Sequence, residues 1–162
     1  MKEEESFSTL NKMRAIKSKY NPERMEPRTM IKTAQFRYDG RLPCMNDIIN
    51  VARTNRYGSA KLKKSTQEQL EWVMKATLAR EKRLGMKFPG HVVCEVQFFE
   101  DYGRNHRRDD DNVIGGGCKF ILDAMQEIGL IQNDSPKYCH LKAERFTDFE
   151  GDPYILITVT ED

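Results

Sequence analysis

Apolar and polar positions alternate most cleanly from His91 to Glu100. There Val92, Cys94, Val96 and Phe98 take turns with Val93, Glu95, Gln97 and Phe99. A period of two places one set on each face of a pleated strand. Ile31 to Tyr38 repeats the pattern, with Thr33, Gln35 and Arg37 between Ala34, Phe36 and Tyr38, and Asp39-Gly40 follows as a turn signal. Lys137 to Phe146 and the β-branched run Tyr154 to Thr160 read as two more strands, with Asp148 to Pro153 as the turn between them. Their closeness predicts a hairpin.

Between the strands the period changes to that of a helix. Asp47 to Arg53 carries Ile48, Ile49 and Val51 and is broken by Asn55-Arg56-Tyr57-Gly58-Ser59. Ser65-Thr66-Gln67-Glu68 has the form of a capping box. It predicts a long helix from about Thr66 to Leu84 with Leu70, Val73, Met74, Thr77 and Leu78 on the buried face, ended by Gly85. A third helix is expected from about Gly117 to Gly129, with Phe120, Ile121, Ala124, Met125 and Ile128 on one face. The order strand, helix, helix, strand, helix, strand, strand predicts an α/β or α+β layer: a mixed sheet of about four strands with helices packed on it.

Residues 1–30 depart from these periods. They are polar, acidic at the start and basic from Lys12 to Lys19, with Pro22 and Pro27 near the end. Leu10, Met13 and Ile16 form either a short helical stripe or part of a mobile or dimer-swapped arm. The domain is expected over 31–162. A length of 162 residues suits one domain with a core. No apolar run is long enough for a membrane span and no secretion signal is expected, so the four scattered cysteines should stay reduced. A net charge of +2 does not by itself announce a nucleic-acid binder, so local arrangement has to decide.

The local arrangement is most unusual from Arg107 to Asp134. Two arginines, Arg107 and Arg108, precede three carboxylates, Asp109, Asp110 and Asp111, with Asn112 next and a glycine run at Gly115 to Gly117. In an extended strip Asp109 and Asp111 would converge while Asp110 points away. Converging carboxylates repel unless a cation lies between them, and hard oxygen donors suit Mg2+ or Mn2+. Arginines beside them suit phosphate, so the combination suggests metal-dependent phosphodiester chemistry. Further on, Lys119, Asp123 and Gln126 or Glu127 share a helix stripe, which makes Lys119 and Asp123 neighbours. A plain exposed ion pair in a solvated, charge-balanced segment is the structural alternative.

Taken in order, Asp109-Asp110-Asp111-Asn112, Lys119-Phe120-Ile121-Leu122-Asp123-Ala124 and Gly129-Leu130-Ile131-Gln132-Asn133-Asp134 resemble the core of the RusA-like Holliday junction resolvases. The resemblance implies a RusA-like fold and a homodimeric, Mg2+-dependent endonuclease that resolves four-way DNA junctions by paired symmetric nicks. It implies that Asp109, Asp111 and Asp134 bind the metal and that Lys119 is catalytic. Asp123 would orient Lys119 or complete the metal shell. The run Val113 to Cys118 is longer than the family spacing and is taken as a loop. Pro43 to Asn46 stands where the family carries a proline-rich loop with an asparagine, which marks Asn46. No small-molecule cofactor or membrane is implied. A bacterial or phage-infected cytoplasm, near the nucleoid, and a role in recombination, repair or phage DNA processing are the implied setting.

A second basic cluster comprises Arg53, Arg56, Lys61, Lys63 and Lys64, with Tyr57 among them. It is either a solvated face or a groove for DNA phosphates, to which Arg107, Arg108 and Asn112 would also contribute. Other chemistries fail on spacing. Counted from Asp109, the glycine and glutamate positions of a calcium loop hold Ile114 and Phe120, and the glycines form neither a P-loop nor a dinucleotide fingerprint. No acid stands two residues before a lysine, so the Glu-x-Lys nuclease pattern is absent. Asn105-His106 lacks well-placed partners for a His-Asn-His site, and Cys139-His140 reads as strand. Two alternatives remain open: a non-catalytic nucleic-acid-binding module, and a nuclease for flap or other branched DNA.

Overall fold

The computed structural model describes residues 31–105 and 107–162, so the expectations for residues 1–30 and for His106 lie outside the described residues. The elements run β1 (Thr33–Asp39), α1 (Met45–Thr54), α2 (Gly58–Arg80), β2 (Val92–Phe99), α3 (Asp110–Glu127), β3 (Cys139–Phe146) and β4 (Tyr154–Glu161). This is an α+β fold with a mixed sheet of four strands in the order β1-β4-β2-β3.

The inward set of β2, Val92, Cys94, Val96 and Phe98, is buried as its alternation requires. Register extends that face across the sheet: Val96 and Phe36 both lie opposite Ile157. Leu70, Met74 and Leu78 of α2 and Ile121 and Met125 of α3 complete the core with it. On the other face, Phe99 stacks between Phe146 and Tyr154, with ring centroids 4.8 and 4.5 Å away. No helix among the described residues is long and apolar enough to cross a membrane.

Three local expectations are corrected. The last two strands are not a hairpin: β3 pairs parallel to one edge of β2, and β4 pairs antiparallel to the other. Asp101, just past β2, accepts the Gly151 N–H at 3.0 Å, which pins the 147–153 connection as it crosses the end of β2. The sequence Ser65 to Glu68 does not start a helix, because α2 already begins at Gly58. The Thr66 hydroxyl instead donates back to Leu62 O at 2.8 Å inside the helix. The helix stops at Arg80 rather than near Gly85. Lys82 takes the left-handed conformation (φ 57°), and the Arg83 N–H reaches Leu78 O at 2.7 Å.

A further correction concerns the site directly. Val113 to Cys118 is no loop; α3 runs unbroken from Asp110. Its glycines serve packing. A Cβ on Gly116 would lie 3.1 Å from the Met45 backbone nitrogen, and one on Gly117 would lie 2.8 Å from the Phe98 ring. Bare backbone at these two positions lets α3 press against the start of α1 and against the sheet.

Candidate functional site

The site is built around the N-terminus of α3, which a buried charge cluster holds in place. Glu100, 3% exposed at the end of β2, receives Arg145 at 2.9 Å, Arg41 at 3.2 Å and Arg108. Arg145, from β3, also donates to Arg108 O at 3.0 Å and pairs with Asp110. Arg108 donates to Leu42 O at 2.7 Å, and the Tyr102 hydroxyl donates to Arg108 O at 2.8 Å. Burial alone would raise the Glu100 pKa. Hydrogen bonds from Arg108, Arg145 and Arg41 outweigh it and hold the carboxyl below its usual range. The Nε atoms of Arg108 and Arg145 are buried and have no hydrogen-bond partner among the described residues. Arg108 therefore faces inward, whereas Arg107 is exposed near the Tyr102 ring, 5.7 Å from its centroid.

Asp109 follows directly as the N-cap residue, in extended conformation, while Asp110 and Asp111 are helical. The alternation argued for an extended strip therefore does not apply. Asp110 turns to Arg145, Asp111 stays exposed, and among the described residues the Asp111 carboxylate accepts only the next backbone N–H, from Asn112, at 2.9 Å. An N-cap aspartate ordinarily accepts a helix N–H. The Asp109 side chain makes no such bond. It lines a cleft of about 320 Å3 with Arg107, Arg108 and Asn112 on one wall and Cys44, Asn46, Asp47 and Asn50 of α1 on the other. Asp47 also closes the start of α1 by accepting the Cys44 N–H at 2.8 Å. Asn46, marked only through the resemblance, thus lies across the cleft from Asp109. Asp47 and Asn50 were not foreseen. The signal available was their spacing from Asn46 on one polar helix face.

A second cluster lies further along α3. The Lys119 ammonium meets Asp123 at 2.8 Å, as the four-residue spacing predicts, and Asp134 at 3.5 Å. Gly129 (φ 71°) ends α3, and the buried Leu130 and Ile131 then carry the chain back so that Asp134 reaches Lys119. The Asp123 hydrogen bond, helped by the charge of Asp134, raises the Lys119 pKa above its ordinary value. Lys119 and Asp111 are eight residues apart, roughly 12 Å along a helix axis. The expected acids therefore divide into Asp109 with Asp111 and Asp123 with Asp134. Among the described residues no three His, Cys, Asp or Glu side chains group to hold a metal ion. The described residues do not form a closed carboxylate cage. As exposed hard oxygen donors Asp109 and Asp111 are of the type Mg2+ prefers, but at i and i+2 on the helix start they do not share a face, and Asp109 alone of the two lines the cleft.

The basic cluster is exposed at Arg53, Arg56, Lys61, Lys63 and Lys64, where α1 meets α2. Of these, only Lys64 has an acidic partner among the described residues, Glu68 at 3.9 Å. No family model matches the chain, and no curated protein matches it.

Proposed function

We propose that the chain is an Mg2+-dependent, structure-selective endodeoxyribonuclease of the RusA-like kind that resolves four-way DNA junctions as a homodimer. The observation that supports this most is the Asp109 carboxylate. It follows directly on Arg108, which the Glu100 cluster holds by side chain and carbonyl, it has no capping role, and it lines a polar cleft. In this reading Asp109 and Asp111 hold Mg2+, which when bound supplies Lewis-acid activation of water and charge neutralisation at the phosphate. Arg107 binds a neighbouring phosphate, and the amides of Asn46, Asn50 and Asn112 donate to phosphate or sugar oxygens. Lys119, with its raised pKa, remains a cation at neutral pH. It acts as a fixed positive charge toward the strand rather than as a base, and Asp123 and Asp134 position it. Paired nicks require two sites related by a two-fold axis, which a symmetric dimer supplies. The setting that goes with this reading is recombination, repair or phage DNA processing in a bacterial cytoplasm.

The test is cutting of labelled four-way junction, duplex and single strand with and without Mg2+. Asp109→Asn and Asp111→Asn should keep junction binding in EDTA and lose nicking by roughly 100-fold or more. Undiminished cutting by Asp111→Asn would overturn the assignment. The lack of a three-acid group among the described residues, together with the exposed basic corner, in which Arg53, Arg56, Lys61 and Lys63 have no acidic partner there, favours one second reading, a non-catalytic DNA-binding module. That reading predicts salt-sensitive binding and no Mg2+-dependent nick.

A further inference from the structure

We propose that Tyr57 is a stacking platform for an unpaired DNA base, placed at the end of a phosphate track that starts at the Asp109 cleft. This rests on the DNA reading above but not on its chemistry. Tyr57 is 75% exposed at the corner between α1 and α2. Among the described residues its ring stacks on no other ring and its hydroxyl makes no hydrogen bond. Yet the backbone under it is held firmly. The Tyr57 N–H donates to Asn55 Oδ1 at 3.0 Å, the Gly58 N–H to Asn55 O at 3.1 Å, and the Asn55 N–H to Val51 O at 2.9 Å. Gly58 closes the corner so tightly that a Cβ there would lie 2.7 Å from Val51 Cγ1. A large apolar ring offered to solvent on a fixed turn is poorly explained by packing.

Its surroundings name the ligand. Arg53, Arg56 and Lys61 flank it in the chain, all exposed and none paired to an acid among the described residues. Asn46, Asn50 and Arg53 follow one another at i, i+4 and i+7, so the α1 face that walls the cleft continues to Arg53 and the corner. From Asn46 to Arg53 the helix rises roughly 10 Å, about three stacked base steps of one strand. A polar helix face that leads from the cleft to Arg53, with exposed cations on both sides of an exposed aromatic ring, suits a strand whose phosphates meet the cations and whose base leaves the duplex to stack. Trp72 is nearly as exposed, but Glu68 and an Arg37 already paired to Asp39 surround it, which does not suit phosphate.

The experiment uses the full chain in EDTA, so that nothing is cut. A four-way junction carries 2-aminopurine either at the branch point or within an arm, with plain duplex and single strand alongside. Tyr57→Ala should bind junction and single strand about 5- to 100-fold more weakly, with duplex affinity and thermal midpoint unchanged. Branch-point 2-aminopurine should be brighter with it than with the wild-type chain. Tyr57→Phe and Tyr57→Trp should restore both signals, and arm-labelled DNA should not respond. Tyr57→Ala binding within twofold of wild type, with the same branch-point emission, overturns the proposal. Tyr57-dependent binding in a wild-type chain that makes no nick with Mg2+ supports the platform while the nuclease reading fails. No binding by the wild-type chain to any of the three DNAs ends both.

Discussion

Gly117 and Gly115 differ by two positions and in what surrounds them. A Cβ at Gly117 would meet the ring of Phe98, itself 2% exposed and unable to swing aside, whereas one at Gly115 meets nothing within 4 Å. Gly117→Ala should lower stability by about 1–3 kcal/mol through overpacking, less the roughly 1 kcal/mol that alanine adds to helix propensity. Gly115→Ala should raise stability by about 0.5–1 kcal/mol. Urea midpoints of the two variants check the opposite signs. The sequence shows three glycines in a row and nothing that separates them, because their roles depend on Phe98 and Met45, far away in the chain. Lys119 and Asp123 were legible from four-residue spacing alone. The inward turn of Arg108 was not, since its partner Glu100 lies beyond a loop.

At the scale of the element, α3 is the unit that matters, and its start is stabilised electrostatically. The Glu100 carboxyl titrates lower in the folded chain than its ordinary value. Its contribution to stability is therefore present above the unfolded pKa, near 4.5, and is lost as pH falls through the folded one. The wild-type chain should lose stability steeply below about pH 4.5, and Glu100→Gln should be less stable at pH 7 with a shallower acid limb. Urea denaturation across pH 3–7 measures both. If the proposed function holds, the Glu100→Gln variant is expected to lose junction cutting too, because the cluster holds Arg108, the residue next to Asp109. The apolar stripe of the third helix places its start at Gly117, seven residues later than the observed one at Asp110. Glycine lowers helix propensity, and the close contacts of Gly116 to α1 and of Gly117 to β2 favour bare backbone at two of the three.

At the scale of the whole molecule, in the proposed reading, the exposed Asp111 and Lys119, the Asp109 cleft and the basic corner divide the work of holding a strand. Replacing Arg53, Arg56 and Lys61 together by glutamine should lower the slope of log binding constant against log salt by roughly 2–3, about 0.7–0.9 for each phosphate left without its cation. Fluorescence anisotropy over a salt series reads this directly. An unchanged slope would remove the corner from the DNA path.

Strands and helices were largely determined by the chain alone, because each must bury one face and so writes its own period into the sequence. The stop at Gly129 and the Lys119–Asp123 pair follow from the same local geometry. Strand order is another matter: only tertiary structure sends β4 across β2, away from its neighbour in sequence. It also brings Asp134 to Lys119 instead of to Asp109, and sets Asp47 and Asn50 opposite Asp109. These juxtapositions depend on which faces meet when the core closes, a choice made by packing between distant residues and not by the period of any one segment.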